Sequence, residues 1–172
     1  MMRSISRLIG AVWWLLFSVS VQAVDFTLPD LQGKDRTLAE FRGQWLLVNF
    51  WATWCPPCIE EMPELERFYL DHKDRDARVI GINMEDIPLQ RLKEFVEEAF
   101  ISYPILLAPA DGYTPLGPIP ALPTSILISP QGDVVARHVG GMTAVMIERL
   151  LKQAEQSQKP ALADSENGRR VH

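Results

Sequence analysis

A single α/β domain built on a mixed central sheet, with helices on both faces, is the fold class this sequence predicts. Three observations predict it. The stretches "WLLVNFW" and "RVIGINM" are near-continuous apolar runs, the pattern of strands buried on both faces. Each is followed by a segment whose apolar residues recur at helical spacing. The chain then closes on two short β-rich runs joined by Pro130-Gln131-Gly132-Asp133, with one more helical period after them. Strands alternating with helices before a terminal hairpin give a mixed sheet.

The elements follow in order. "VDFTLPDLQGKDRTLAEFRGQ" alternates in short stretches around the turn Gln32-Gly33-Lys34-Asp35 and reads as an N-terminal β-hairpin. Trp45 to Trp51 is the central strand. Ile59, Met62, Leu65 and Phe68 or Tyr69 mark an amphipathic helix opening at the cysteines, kinked at Pro63, with Glu60, Glu61, Glu64 and Glu66 as its solvated face. Arg78 to Met84 is a second buried strand. Leu92, Phe95, Val96 and Ala99 place a helix from Pro88 to Phe100, and "YPILLA" offers a short strand. A Pro/Gly-rich loop leads to strands Thr124 to Ser129 and Val134 to Val139. Ile147, Leu150, Leu151 and Ala154 end the domain in a helix from Thr143 to Gln156.

The ends read differently from the middle. Residues 1–23 carry Arg3 and Arg7, an apolar run from Leu8, and small residues up to Ala23, the layout of a secretory signal peptide or, uncleaved, of an N-terminal anchor. Residues 24–156 form the domain, and the polar, aperiodic stretch 157–172 is expected to be a disordered tail. The 172-residue chain has 17 Lys and Arg against 22 Asp and Glu, for a net charge of −5, and loss of the leader makes the remainder more acidic still. That balance excludes nucleic acid as a partner, since such affinity needs clustered cations. Export places the protein where disulfides persist, and a bacterial periplasm suits it, with membrane contact through the N-terminal segment.

Both cysteines lie in "NFWATWCPPCIEEMP". A structural zinc site needs four ligands, and His72, His138 and His172 are scattered without ligand spacing. A structural disulfide across two residues closes too small a loop to remove much chain entropy. Redox chemistry has a mechanism. Cys55 follows a buried strand and opens a helix, where unpaired N–H groups and the helix dipole stabilise a thiolate. Cys55 is therefore the attacking thiol and Cys58, one turn on, the resolving one. Pro56 and Pro57 occupy the first two helical positions and remove two donors that would otherwise face the Cys55 sulfur. Their presence predicts a less stabilised thiolate and a more reducing pair.

With these residues the chain resembles the thioredoxin superfamily, and within it the TlpA/ResA/CcmG group of exported thiol–disulfide reductases. "VNFWATWCPPCIEEMP" carries the resemblance, supported by "LPDLQGKDRTLAEFRGQ", "VIGINM" and "ALPTSILISPQGDVVARHVGG" in the same order. The resemblance implies a thioredoxin-like fold with a central insertion at about 85–107. It also implies that Pro123 is a cis-proline facing the cysteines, with Trp54 shielding the nucleophile and lining the substrate surface. Trp51 ends the core strand and packs inside. Thioredoxins carry a proton-accepting Asp where this chain has Asn49, so the acceptor must be sought elsewhere; the group's pattern points to Glu85 or Asp86. No cofactor is implied. The expected electron donor is a membrane thiol carrier, and the expected substrates are apocytochromes c or the cysteines of copper-site proteins, acted on by a monomer. Alternatives are a copper-delivery protein of the same superfamily, which usually has a wider cysteine spacing and a ligating His, and a general periplasmic oxidase or isomerase. Peroxidase chemistry would require Thr where Ala52 stands.

Overall fold

Every residue from Trp45 to Trp51 is buried, and the rest of the domain is arranged around that strand. The computed structural model describes residues 25–167, with side chains through Gln158. Residues 1–24 and 168–172, and with them the expected leader, lie outside the described residues. No helix of the described residues is long and apolar enough to cross a membrane.

The strands are β1 (Thr27–Pro29), β2 (Asp35–Thr37), β3 (Trp45–Trp51), β4 (Ala77–Asn83), β5 (Ile105–Leu107), β6 (Thr124–Ile128) and β7 (Val134–Val139). The α-helices are α1 (Pro56–His72), α2 (Leu89–Glu98) and α3 (Ala144–Asn167). β1 and β2 form the expected antiparallel hairpin, its turn held by the Asp30 carboxylate, which accepts the N–H groups of Gln32 and Lys34. Gly33 takes the φ of 75° that this turn requires. The five-stranded sheet runs β5-β4-β3-β6-β7, with β4 parallel to both β3 and β5, and β6 antiparallel to both β3 and β7. A mixed sheet is the architecture the pattern predicts.

Alternation along β3 splits the core in two. Trp45, Leu47 and Trp51 face a cluster that also holds Cys58, Met62, Leu65 and Phe68 of α1, Leu92 and Val96 of α2, and Ile147 and Leu151 of α3. Leu46, Val48 and Phe50 face the other side, against Leu28, Leu38, Phe41 and Leu116. The three α-helices therefore share one face of the sheet, where the sequence pattern leads one to expect helices on both. The opposite face is covered by the hairpin, a one-turn 3-10 helix at Leu38–Phe41 and the loop around Leu116. The reason is handedness: β3, β4 and β5 step one way across the sheet, so right-handed crossovers leave α1 and α2 on the same side. Leu65, without exposed surface, contributes about 2–3 kcal/mol by that burial alone.

Helix ends differ from the sequence expectation in one place. α3 continues to Asn167, so helical backbone occupies most of the stretch expected to be a disordered tail. Six of the eleven residues 157–167 are the helix formers Ala, Leu, Glu, Gln and Lys, and they continue the helix without an apolar stripe although Pro160 lies among them.

Candidate active site

The active segment lies where β3 hands over to α1. Cys55 is the helix N-cap, in extended backbone, and Pro56 and Pro57 fill the first two helical positions. Neither proline has an N–H to lose there. Cys55 and Cys58 are joined by a disulfide, with S–S 2.09 Å and Cα atoms 5.3 Å apart. Both are buried, whereas Trp54 beside them is 68% exposed. The first amides of the helix, Cys58 and Ile59, donate to the Cys55 carbonyl at 3.0 and 3.2 Å. In this oxidised form they satisfy that carbonyl rather than the Cys55 side chain, which makes no capping hydrogen bond.

Pro123 is the last residue before β6, and the Leu122–Pro123 peptide bond is cis. Its carbonyl accepts the Gly140 N–H at 2.9 Å, tying this turn to the end of β7. Gly141 follows, its Cα so placed that a Cβ there would lie 3.6 Å from the Pro57 carbonyl oxygen. The loops carrying Pro123 and Gly140–Gly141 thus meet the start of α1.

Glu61, expected on the solvated face of α1, is instead only 3% exposed. The buried stripe of α1 runs through Cys58, Glu61, Met62, Leu65, Phe68, Tyr69 and His72, while Ile59 is 42% exposed. Glu61 lies three residues beyond Cys58, so the two side chains share one helical face. Its carboxylate accepts the Asn49 side-chain N–H at 2.7 Å and the Met142 backbone N–H at 2.8 Å. Asn49 also donates to the Ser125 hydroxyl at 3.0 Å. Burial pushes Glu61 up to about 7, against the two hydrogen bonds, which favour the charged form. A carboxyl with that value gives and takes protons near neutrality. The Tyr103 hydroxyl, buried without a hydrogen-bond partner among the described residues, is pushed far above its usual range by burial and then by the negative charge of Glu61 and Glu66.

Two more of the four α1 glutamates have structural partners instead of solvent alone. Glu64 accepts the Ala144 N–H at 2.7 Å, at the start of α3, and Glu66 takes the Ser102 N–H at 2.8 Å together with the Ser102 hydroxyl. Only Glu60 is exposed. Backbone N–H groups at the start of a helix or in a loop need acceptors, and a neighbouring helix face rich in carboxylates provides them.

Glu85 and Asp86 part ways. The Glu85 carboxylate accepts the Thr53 N–H at 3.0 Å, the Thr53 hydroxyl at 3.1 Å and the Asn83 side-chain N–H at 3.2 Å. It therefore holds the loop two residues ahead of Cys55. Asp86 lines a cavity at the ends of β4 and β5. Trp51 is fully buried as expected, stacked on Phe95 with ring centroids 5.7 Å apart. Among the described residues no group of three or more His, Cys, Asp and Glu side chains is placed to hold a metal ion.

Sequence comparison bears on this arrangement directly. The sequence model described as the AhpC/TSA family matches residues 19–137. The chain belongs to that family. It is 37% identical over 131 residues to the thiol-disulfide oxidoreductase ResA of Halalkalibacterium halodurans, covering 76% of this chain and 74% of that one. Among solved structures it is similar to a thiol:disulfide interchange protein of the thioredoxin family from Chlorobium tepidum. That match has a TM-score of 0.66 and 30% identity, over 77% of this chain and 94% of the other. A secreted thiol-disulfide isomerase from Corynebacterium glutamicum matches with a TM-score of 0.63 and 26% identity, over 73% and 80% of the two chains. The fold is thioredoxin-like, the resemblance to the ResA group holds, and the chain is a thiol–disulfide oxidoreductase.

The sequence signal for Glu61 was available. A carboxylate one turn beyond a buried cysteine, in phase with Met62, Leu65 and Phe68, belongs to the core stripe by position even though its residue type argues for solvent.

Proposed function

We propose that the protein is exported and works as a reductant of protein disulfides, with Cys55 attacking and Cys58 resolving. The Cys55 thiolate attacks one sulfur of a substrate disulfide, forms a mixed disulfide and releases the other substrate sulfur as thiolate. Cys58 then loses its proton to the Glu61 carboxylate and attacks the Cys55 sulfur. That step closes the Cys55–Cys58 bond, frees the second substrate thiol and leaves two electrons on the substrate. The observation that carries the reading is a helix-capping Cys-x-x-Cys pair whose second cysteine shares a buried helix face with a carboxyl that titrates near 7. Glu61 takes the role that the sequence pattern sought in Glu85 or Asp86. The Glu85 carboxylate is occupied by Thr53, so it serves as a positioning residue for the loop ahead of Cys55.

Around the pair, exposed Trp54 and the loops at Pro123 and Gly140 frame a surface for an extended substrate segment. In the periplasm the oxidised pair would be reduced again by a membrane thiol carrier, and substrates would be the Cys-x-x-Cys-His segments of apocytochromes c or the cysteines of copper-site proteins. The resemblance to the ResA group and the secreted relative support that setting. Trapping tests the roles. Cys58→Ser is expected to accumulate mixed disulfides through Cys55, identifiable by mass spectrometry, and Cys55→Ser to accumulate few. A reversed pattern overturns the assignment.

A further inference from the structure

A cavity of about 480 Å³ opens at the carboxyl ends of β4 and β5, the edge of a parallel sheet where ligands are generally held. Its position ties it to the chemistry. One wall is Glu85, whose carboxylate is hydrogen-bonded to Thr53, two residues before Cys55. A group lying in the cavity is thus beside the loop that carries the nucleophile.

The lining has two characters. Ile87, Leu92 and Leu107 supply apolar walls, while Glu85, Asp86 and Asp111 supply carboxylates, and no Lys, Arg or His lines it. The three acids are not equally committed. Glu85 already accepts three hydrogen bonds, from Thr53 and Asn83. Asp111 spends one oxygen on the Tyr113 N–H at 3.0 Å. Asp86 makes no hydrogen bond or ion pair among the described residues. An apolar sleeve with free carboxylate at its mouth matches the chemistry of Lys or Arg, whose methylene stem is apolar and whose tip is a cation.

We propose that this cavity is a specificity subsite that takes a Lys or Arg side chain of the substrate polypeptide, close in sequence to the disulfide being reduced. The inference rests on the reading of the chain as a reductant of protein disulfides and adds a substrate class: disulfides flanked by basic residues. The cavity contributes to capture of substrate and leaves the exchange chemistry to Cys55 and Cys58.

Two disulfide-loop peptides test it, identical except that one carries lysine and the other norleucine beside the cysteine. Reduced wild-type protein is expected to show kcat/KM at least about fivefold higher on the lysine peptide, the scale of partly exposed ion pairs at two carboxylates, and less at high salt. In Asp86→Asn/Asp111→Asn the ratio falls to near one, and Asp86→Lys reverses it. Glu60→Gln, which removes an exposed α1 carboxylate outside the cavity, keeps the wild-type ratio. Equal rates on the two peptides overturn the subsite, as does a preference that survives in the double variant or disappears in Glu60→Gln. Circular dichroism confirms that each variant is folded. A parallel titration by calorimetry uses the same peptides with both cysteines replaced by serine. It expects tighter binding of the lysine peptide, and equal binding again overturns the subsite. If neither disulfide peptide is reduced, the reductase reading fails while this titration still decides the subsite.

Discussion

Replacing Glu61 by glutamine removes a buried titration and nearly nothing else. In the folded protein this carboxyl titrates near 7 because burial disfavours its charge, whereas the unfolded chain returns it to the ordinary 4.5. The folded state therefore binds the proton more tightly. The sign follows from linkage: the stability this group provides is fully present below about pH 4.5 and is lost as pH rises through about 7. The separation between the two values corresponds to about 3 kcal/mol. The substituted side chain keeps an oxygen for the Met142 N–H and leaves its amide toward Asn49. Asn49 can turn its own carbonyl to meet that amide, so the cost in hydrogen bonds is about one at most. Urea unfolding of the oxidised proteins at intervals from pH 4 to 8, with the disulfide intact so that no thiol titrates, measures the difference. The gap in stability between wild type and Glu61→Gln should shift by about 3 kcal/mol across that range, against the wild type at high pH. Parallel profiles would refute both the burial of the charge and its use as a proton acceptor near neutrality.

Three further outcomes are expected in other parts of the molecule. Pro57→His restores a backbone N–H at the second helical position, so the reduction potential should rise by roughly 20–30 mV, the equivalent of one modest hydrogen bond to the thiolate; equilibration with glutathione redox buffers reads it. His72 is buried, its ring bonded to Asp76 at 2.7 Å and Glu148 at 2.6 Å. Desolvation opposes its charge, but the hydrogen bonds to Glu148 and Asp76 prevail and its pKa is raised, so its stabilisation is full below about 6.5 and is lost as pH climbs past the raised value. Denaturant melts of His72→Gln should accordingly differ most from wild type on the acid side. A Cβ at residue 81 would lie 2.7 Å from the Ile105 Cδ1 and 2.8 Å from the Trp51 Nε1, so Gly81→Ala should cost about 1–3 kcal/mol in thermal unfolding.

How far the sequence reveals this protein depends on whether local pattern or tertiary contact decides a feature. The strand Trp45–Trp51 could be read at its observed bounds because burial on both faces leaves no polar interruption except Asn49. The cis bond at Pro123 was legible only through the family resemblance, and the Cys55 N-cap through the place where a buried strand gives way to a helical period. Glu61 is hard to read locally because its residue type points to solvent while its phase points to the core, and a stripe begun at Ile59 instead of Cys58 turns the helix far enough to put Glu61 in solvent. The backbone N–H groups that Glu64 and Glu66 accept lie 80 and 36 residues away, beyond any local pattern. The concentration of the α-helices on one face was set by strand order, which apolar runs do not specify.

The direction of electron flow is the central claim, and the reduction potential of the Cys55–Cys58 pair tests it most directly. Because two prolines fill the first helical positions and leave few N–H donors for a Cys55 thiolate, the expected value lies near the roughly −270 mV of thioredoxin. A value near the roughly −120 mV of a strong oxidant such as DsbA would contradict it.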